Sequence, residues 1–513
     1  MLKAGCEEMK EEVSHMNYEK GTVLCSKLSF GAVCEGAAEG EMILPDYCPP
    51  IMKIVKSSVL PTIRSKNFYG DKLVAEGTAV FRVVYLSEDG RVCSVSTSVP
   101  FSATCRWEGE ENDLRAFCGV EYFDVRALSP QKIHCKATVS VRAETFASSG
   151  QTALFSKEGP EDTELRCRDA VCCRKTAFGQ KNISVSDEIA VENRPSPAEL
   201  LDYTLDFIPG EEKLLDQKAV VKGEMAVRII YRSEENTVEV LEHRVPLSQV
   251  IDAAGLDETC LCSVCFSPCE FSLSLKDDED IFVFEGVVLA EISGWKNENY
   301  RVVTDAFSPA RNLETKNGRI SAETAIFENE TITFNEKISL PASKIHSIVP
   351  RAKITRTSLG EGGEGTVSGV FVCSVFYEDM EGVFSGCDKE IPFTMRAPVG
   401  ENVTALRGDL SMGVASSAFL CPDSSSAELR INCVVRGLLF ATEDQTIVAE
   451  ISDMGERAAE NGPNAVLYFA CEGETLWDIA KSFAVPPEKI AGENSLSCDV
   501  FSSDTRIIIT KGC

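Results

Sequence analysis

Four cysteines within ten residues are the feature of this sequence that most suggests chemistry. They are Cys260, Cys262, Cys265 and Cys269, in the stretch "CLCSVCFSPCEF". Clustered thiolates can hold structural zinc, but such sites normally use two close pairs separated by a longer loop. Here the spacing is short and the surrounding residues are typical of a β-strand. We therefore predict buried thiols at these positions, with no metal and no cofactor.

The other reactive side chains show no arrangement that would catalyse a reaction. The chain has four histidines, His15, His134, His243 and His346, and no two have the i, i+4 spacing of a zinc-binding helix. There is no GxSxG nucleophile motif and no kinase signature. Two of the 80 Asp and Glu residues could converge as in a glycosidase, but a solvated acidic surface is the simpler explanation. We predict that the protein is not an enzyme.

The residues best suited to binding lie near the C-terminal end, in "CEGETLWDIAKSF" at 471–483. Gly473, Glu474, Thr475, Leu476 and Trp477 form the junction between an apolar run and a helical pattern. An aromatic side chain at such a junction can pack against the apolar face of a sugar or anchor a protein interface.

The pattern around this junction predicts a strand, two helices and a second strand. Thr475 is placed to cap the first helix, with Asp478 completing a variant of the capping box. Pro486 and Pro487 are placed to open the second helix, where a missing N–H costs nothing. The buried face of the first helix has i, i+3, i+4, i+7 spacing and consists of Leu476, Ile479, Ala480 and Phe483.

This segment resembles the LysM family, whose domains usually bind polymers of N-acetylglucosamine such as peptidoglycan. The resemblance implies a small βααβ domain at 464–511. It also implies a ligand groove between "EGETL" and the loop "ENSL". The site residues that the resemblance implies are Gly473, Glu474, Thr475, Leu476, Trp477, Asn494, Ser495 and Leu496. The residues at family positions are Gly473, Thr475, Leu476, Trp477, Ile479, Ala480, Phe483, Val485, Ile490 and Asn494.

Two departures from the LysM pattern leave the ligand open. Glu474 replaces the usual aspartate, and "SSDTRIIIT" lacks the customary glycine and closing proline. One interpretation is a groove that binds glycan. The other is a groove that binds a protein, with Leu476 and Trp477 serving as core residues.

The rest of the chain contains three copies of one β-rich unit. The copies align without a gap as "AEGTAVFRVVYLSEDGRVCSVSTSVPFS", "VKGEMAVRIIYRSEENTVEVLEHRVPLS" and "VSGVFVCSVFYEDMEGVFSGCDKEIPFT". Each reads as a β-hairpin whose first strand ends at a tyrosine and whose second is stopped by a proline. We predict a mainly β fold with sandwich-like repeats. Three sets of residues recur every 146 positions: Gly77, Gly223 and Gly369; Tyr85, Tyr231 and Tyr377; Pro100, Pro246 and Pro392.

The repeats predict the domain organisation. An N-terminal segment spans 1–35. The three repeats span 36–147, 183–295 and 332–452, and the LysM domain spans 464–511. The segments 148–182 and 296–331 are polar and interrupted by proline, as linkers tend to be.

Three β-rich repeats followed by one LysM domain resemble the SPOCS-domain sporulation proteins of spore coat morphogenesis. The resemblance rests on the repeated hairpin, the terminal module and the "MILPDYCPP" that precedes the first hairpin. Copy two departs most, with Leu247 where the others have Phe101 and Phe393. The resemblance implies a non-enzymatic scaffold that docks through LysM to the coat's morphogenetic ATPase. A peptidoglycan-binding cell-wall protein is the alternative.

Charge and hydropathy exclude other classes of partner. The formal net charge of −29 repels phosphate backbones and anionic lipids, so we expect neither nucleic acid nor a membrane surface as partner. The first residues lack the apolar run of a signal peptide, and no window has the apolar length of a membrane span. We expect a cytoplasmic protein, which the resemblance places in the mother cell at the forespore surface.

Overall fold

The computed structural model describes residues 14–15, 20–109, 113–155, 162–276, 279–360, 363–457 and 465–510. Strands dominate, which confirms the predicted mainly β fold. The helices of the described residues are α1 (Leu476–Phe483) and α2 (Pro487–Asn494). Neither is long and apolar enough to cross a membrane.

The first repeat is a β-sandwich of two three-stranded antiparallel sheets. In chain order its strands are β2 (Lys20–Ile43), β3 (Ile51–Tyr69), β4 (Lys72–Ser87), β5 (Val92–Arg106), β6 (Arg115–Ser129) and β7 (Lys132–Leu154). One sheet has the order β3–β4–β5 and the other β2–β7–β6. A disulfide between Cys34 and Cys105 joins the two sheets. A short strand, β1 (Ser14–His15), pairs elsewhere, with β19 of the third repeat (Ser426–Glu456).

The second and third repeats have the same architecture. The second has sheets β9–β10–β11 and β8–β13–β12, formed by β8 (Glu164–Ala190), β9 (Pro197–Leu215), β10 (Lys218–Ser233), β11 (Val238–Asp252), β12 (Leu261–Leu275) and β13 (Ile281–Phe307). The third has sheets β15–β16–β17 and β14–β19–β18, formed by β14 (Arg311–Ser339), β15 (Ala342–Leu359), β16 (Gly365–Asp379), β17 (Phe384–Ala397), β18 (Ala405–Asp423) and β19. The prediction of sandwich-like repeats is thus confirmed.

The recurring glycine is explained by close packing against a phenylalanine ring and a backbone carbonyl of the neighbouring strand. Gly77 pairs with Phe101, and a Cβ at Gly77 would lie 2.1 Å from Thr62 O and 2.6 Å from the Phe101 ring. Only glycine leaves room for that ring. In the second repeat Phe266 of β12 contacts the equivalent Gly223. A phenylalanine from the opposite sheet thus occupies the place that Phe101 fills in the first repeat, where the second repeat has Leu247.

The segments 148–182 and 296–331, expected to be linkers, lie mostly in strands. β7 runs on to Leu154 and β8 starts at Glu164, while β13 reaches Phe307 and β14 starts at Arg311. These strand ends form two-stranded ribbons that extend beyond the sandwiches. Each ribbon has one exposed face, which explains the polar composition of the two segments. The buried faces of the ribbons meet in one apolar cluster that includes Val23, Cys25, Ala170, Cys172, Ile320 and Ala322. The domain boundaries stay predictions, and of the segment 1–35 the part from Lys20 onward lies in β2.

The three sandwiches also meet at a common centre. Val84, Ile230 and Phe376 occupy matching positions, 146 residues apart, and all three are buried in one apolar cluster. Each repeat therefore contributes the same position to a shared core. The repeats form one three-lobed body with an approximate three-fold arrangement.

Buried ion pairs join the first repeat to the second. Asp202 accepts hydrogen bonds from Lys56 at 3.1 Å and from Ser58 at 3.1 Å, and it lies 3.2 Å from Arg82. Burial opposes ionisation of Asp202, but Lys56 and Arg82 outweigh burial and lower its pKa. Because a buried charge without a partner is costly, this contact fixes how the two lobes pack.

The third repeat is joined to the other two in the same way. Asp409 pairs with Arg115 of the first repeat at 2.6 Å and accepts a hydrogen bond from Ser263 of the second at 2.5 Å. Asp206 of the second repeat accepts a hydrogen bond from the N–H of Val414 at 3.0 Å. Each interface between lobes therefore contains a carboxylate that is buried, as Asp202 and Asp206 are, or partly buried, as Asp409 is.

Asp206 should make stability depend on pH. Burial, only partly offset by Arg228 at 3.4 Å, raises its pKa to about 6. A carboxyl whose folded-state pKa is raised contributes stability that is present below its ordinary pKa and lost as pH rises through about 6. Asp206→Asn removes this dependence. Urea titrations give the free energy of unfolding of the wild type and of the variant at each pH. We expect the difference, wild type minus variant, to fall by about 2 kcal/mol between pH 4.5 and pH 7.5. A constant difference would contradict this role.

Candidate functional site: the terminal βααβ module

The terminal module folds as its sequence predicts. Thr475 caps α1: its Oγ1 accepts from the N–H of Asp478 at 3.1 Å and its hydroxyl donates to Asp478 Oδ2 at 2.6 Å. Pro486 and Pro487 open α2. The strands β20 (Ala465–Ala470) and β21 (Thr505–Thr510) pair antiparallel and complete the βααβ order.

The loop 473–476 is tied down by its own backbone. The N–H of Gly473 donates to Phe501 O at 2.8 Å, the N–H of Phe501 donates to Glu474 O at 3.0 Å, and the N–H of Leu476 donates to Asp499 O at 2.7 Å. Gly473 has a φ of 89°, in the left-handed region that favours glycine. The loop is therefore a preformed edge of the predicted groove.

The carboxylate of Glu474 makes hydrogen bonds within the module. Its carboxylate accepts hydrogen bonds from the Tyr468 hydroxyl at 3.0 Å and from the Cys471 N–H at 2.8 Å. These contacts hold the loop against the end of β20. A glutamate at this position thus has a structural role that is independent of any ligand.

Asn494 is also a structural residue. Its amide nitrogen donates to Ile490 O at 2.9 Å and to Ile508 O at 2.7 Å, and its amide oxygen accepts from the Ile508 N–H at 2.7 Å. Asn494 therefore joins the end of α2 to β21. Ser495, which follows it, is exposed, and Leu496 is partly buried against the module core.

Leu476 and Trp477 lie in the interior. Their exposed fractions are 5% and 9%. The Trp477 indole N–H donates to Asp305 Oδ2 at 2.8 Å, and its ring meets Phe307 edge-on with centroids 5.1 Å apart. Lys481 adds an ion pair to Asp305 at 2.7 Å. The Trp477 side chain thus attaches the module to the end of β13 rather than facing a ligand.

The predicted groove is left with a small polar surface. Gly473 and Ser495 are exposed, and Glu474, Thr475, Asn494 and Leu496 are partly exposed. None of these six offers an aromatic face for a sugar ring. The groove can supply backbone hydrogen bonds and one hydroxyl. The sequence does not mark Asp305 and Phe307 as neighbours of the module, because they lie in the stretch 296–331, which has the composition of a linker.

The four clustered cysteines do not converge. Cys262 is buried in the core of the second sandwich, while Cys265, three residues on, lies on the opposite face of β12. Burial raises the pKa of both thiols, that of Cys265 to about 11. Within the part of the chain that the structure describes, no three His, Cys, Asp or Glu side chains form a group that could hold a metal ion. These residues do not fit a zinc site.

Comparison with known families identifies two kinds of domain. The family described as SipL, SPOCS domain matches residues 50–128 and 198–275. These segments contain β3 to β6 of the first repeat and β9 to β12 of the second. The LysM domain family matches residues 472–510. No curated protein and no solved structure gave a match.

The matches agree with the architecture. The third repeat has the same strand order as the two that match, and the LysM match covers both helices and the closing strand of the terminal module. SPOCS and LysM domains are binding or adaptor domains without catalytic machinery. The chain therefore contains two segments that match the SPOCS domain family, followed by a C-terminal LysM domain.

Proposed function

We propose that this protein is a non-enzymatic scaffold for spore coat assembly. It acts in the mother-cell cytoplasm at the forespore surface and docks to the coat's morphogenetic ATPase through its LysM domain. The supporting observation is the burial of Leu476 and Trp477. With these side chains in the core, the groove lacks the apolar platform on which a sugar ring packs, whereas a protein can bind a small polar surface.

The body of the protein suits a scaffold. Three lobes joined by buried ion pairs and shared apolar clusters present several surfaces at fixed separations. Several weak contacts made at once raise avidity well beyond any single contact. The net charge of −29 favours partners with basic surfaces.

Peptidoglycan binding is the second candidate function, and the LysM match favours it. A glycan would have to bind through the exposed backbone at Gly473 and the hydroxyl of Ser495. Such a site would depend on hydrogen bonds to the acetamido groups of the sugar.

The variant Ser495→Arg tests which ligand the groove binds. It places a bulky side chain at the groove edge, so we expect at least about a tenfold loss of affinity for the immobilised coat ATPase. Gly492→Arg is the matched control, because a Cβ at Gly492 meets no atom within 4 Å. The wild-type chain should not sediment with insoluble peptidoglycan. Sedimentation that Ser495→Arg abolishes, together with no binding to the ATPase, would establish the glycan function instead.

A further inference from the structure

The two edges of the β20–β21 sheet differ in whether their outward backbone groups have hydrogen-bond partners. The outer edge of β21 is covered: Asn494 binds both the N–H and the C=O of Ile508, and Lys489 Nζ donates to Thr510 O at 3.0 Å. Backbone groups bound in this way point away from β20. The sheet can therefore grow only at its other edge, the outer side of β20.

The outer edge of β20 presents free backbone groups. Leu467 stands opposite Ile508 in the antiparallel register. In an antiparallel pair, two opposite residues either both direct their N–H and C=O groups toward each other or both direct them away from each other. Because the groups of Ile508 point away from β20, those of Leu467 point away from β21. Leu467 therefore directs its N–H and C=O outward, as do Ala465 and Phe469 two residues to either side. Among the described residues, no hydrogen-bond partner of these groups is found.

β20 carries none of the features that normally protect an edge strand. Its sequence, "AVLYFA", has no charge, no proline and no glycine. Leu467 and Phe469 are 52% and 66% exposed, and Ile508 beside them is 51% exposed. Natural edge strands are usually blocked by lysine, proline or a bulge, and an unblocked apolar edge pairs with another strand.

We propose that β20 pairs with β20 of a second copy of this chain and forms a dimer. In an antiparallel pair centred on Leu467, the two Leu467 residues lie opposite each other and Ala465 lies opposite Phe469 of the second copy. A small side chain thus faces a large one on each side of the two-fold axis that relates the two copies. The three outward residues of each strand provide about six backbone hydrogen bonds. The result is a continuous four-stranded sheet in the order β21–β20–β20–β21.

Charge does not oppose self-pairing at the strand itself, but it opposes the approach of two copies at long range. Because β20 is uncharged, self-pairing brings no like charges into contact. Two bodies of net charge −29 repel each other, and salt screens that repulsion. The dimer should therefore form more readily at high ionic strength. An interface of this length is small, so we expect dissociation in the micromolar range, on the order of 1–100 μM.

Sedimentation velocity of the full chain tests the dimer. Between about 1 and 100 μM the mass should rise from 55.9 kDa toward twice that value. When salt is raised, the same rise should occur at a lower protein concentration. Leu467→Pro should stay monomeric, because proline removes an outward N–H and leaves the β20–β21 ladder intact. Leu467→Lys, which keeps the N–H but places two like charges on the axis, should also stay monomeric. Ile508→Thr alters the same exposed face on the covered strand and should still dimerise.

Two results would overturn the proposal. One is a wild-type chain that remains at 55.9 kDa at all concentrations and salt levels, in which case the edge is covered by another segment or reserved for another protein. The other is dimerisation that both Leu467 variants retain, which would place the interface elsewhere. Neither result bears on the binding of the coat ATPase, because the dimer is independent of the groove.

Discussion

Replacing Asp202 with alanine should destabilise the three-lobed body by about 3–5 kcal/mol. Asp202 is almost fully buried between the first and second repeats, where it pairs with Lys56 and Arg82. Removing it leaves two buried cations that have lost their shared anion. The free energy of unfolding from urea titration, followed by circular dichroism, measures the loss.

Asp388→Ala is the matched control, because Asp388 also pairs with Lys56, at 3.2 Å, but is more than a third exposed. A partly exposed pair of this kind is worth about 1 kcal/mol or less. The double variant Lys56→Met, Asp202→Leu should recover only part of the loss, since it removes one of the two unpaired cations and leaves Arg82 buried without its anion. If Asp202→Ala cost no more than Asp388→Ala, the ion pair would not hold the lobes together.

Replacing Trp477 with alanine should unfold the LysM domain and leave the sandwiches intact. Loss of a buried tryptophan costs about 3–5 kcal/mol, and a domain of this size has little stability to lose. Trp477 belongs both to the module core and to the contact with Phe307. Hydrogen exchange should show lost protection at 465–510 and unchanged protection in β3 to β5.

Two milder variants separate folding from attachment. Trp477→Phe keeps a ring against Phe307 and loses the hydrogen bond to Asp305, so it should cost about 1 kcal/mol. Asp305→Ala removes the acceptor shared by Trp477 and Lys481 and should free the module without unfolding it. Full protection of 465–510 in Trp477→Ala would show that the module does not depend on this contact.

The features that sequence predicted correctly are local or strictly periodic. The hairpins follow from alternating apolar residues, a turn and a proline, all within about thirty residues. The cap of α1 depends on Thr475 and Asp478, which are three residues apart. The repeat itself was visible because Gly77, Gly223 and Gly369 must each be glycine for the same steric reason.

The features that sequence did not predict depend on residues far apart in the chain. The ribbons at 148–182 and 296–331 look polar because only one face of each is buried, and that face is covered by the other repeats. Cys25, for example, packs near Cys172 and Ile320 of the other two repeats. No local pattern encodes such a junction.

The binding role of the candidate site stays a prediction. The loops 473–476 and 494–496 lie where the LysM resemblance places them, but Trp477 is turned to Asp305, which is 172 residues away. The family pattern assigns a tryptophan to this position without specifying what it contacts. The outward edge of β20 was missed because strand periodicity does not reveal which backbone groups remain unpaired.

The most direct test of the scaffold function is the location of a fluorescently tagged full chain in sporulating cells, beside the same chain ended after residue 460. We expect a ring around the forespore with the full chain and no ring without the LysM domain. A ring that persists without LysM would show that docking occurs through the SPOCS repeats. A signal at the outer wall or septum, retained by the LysM fragment alone, would contradict the scaffold and identify a glycan-binding protein.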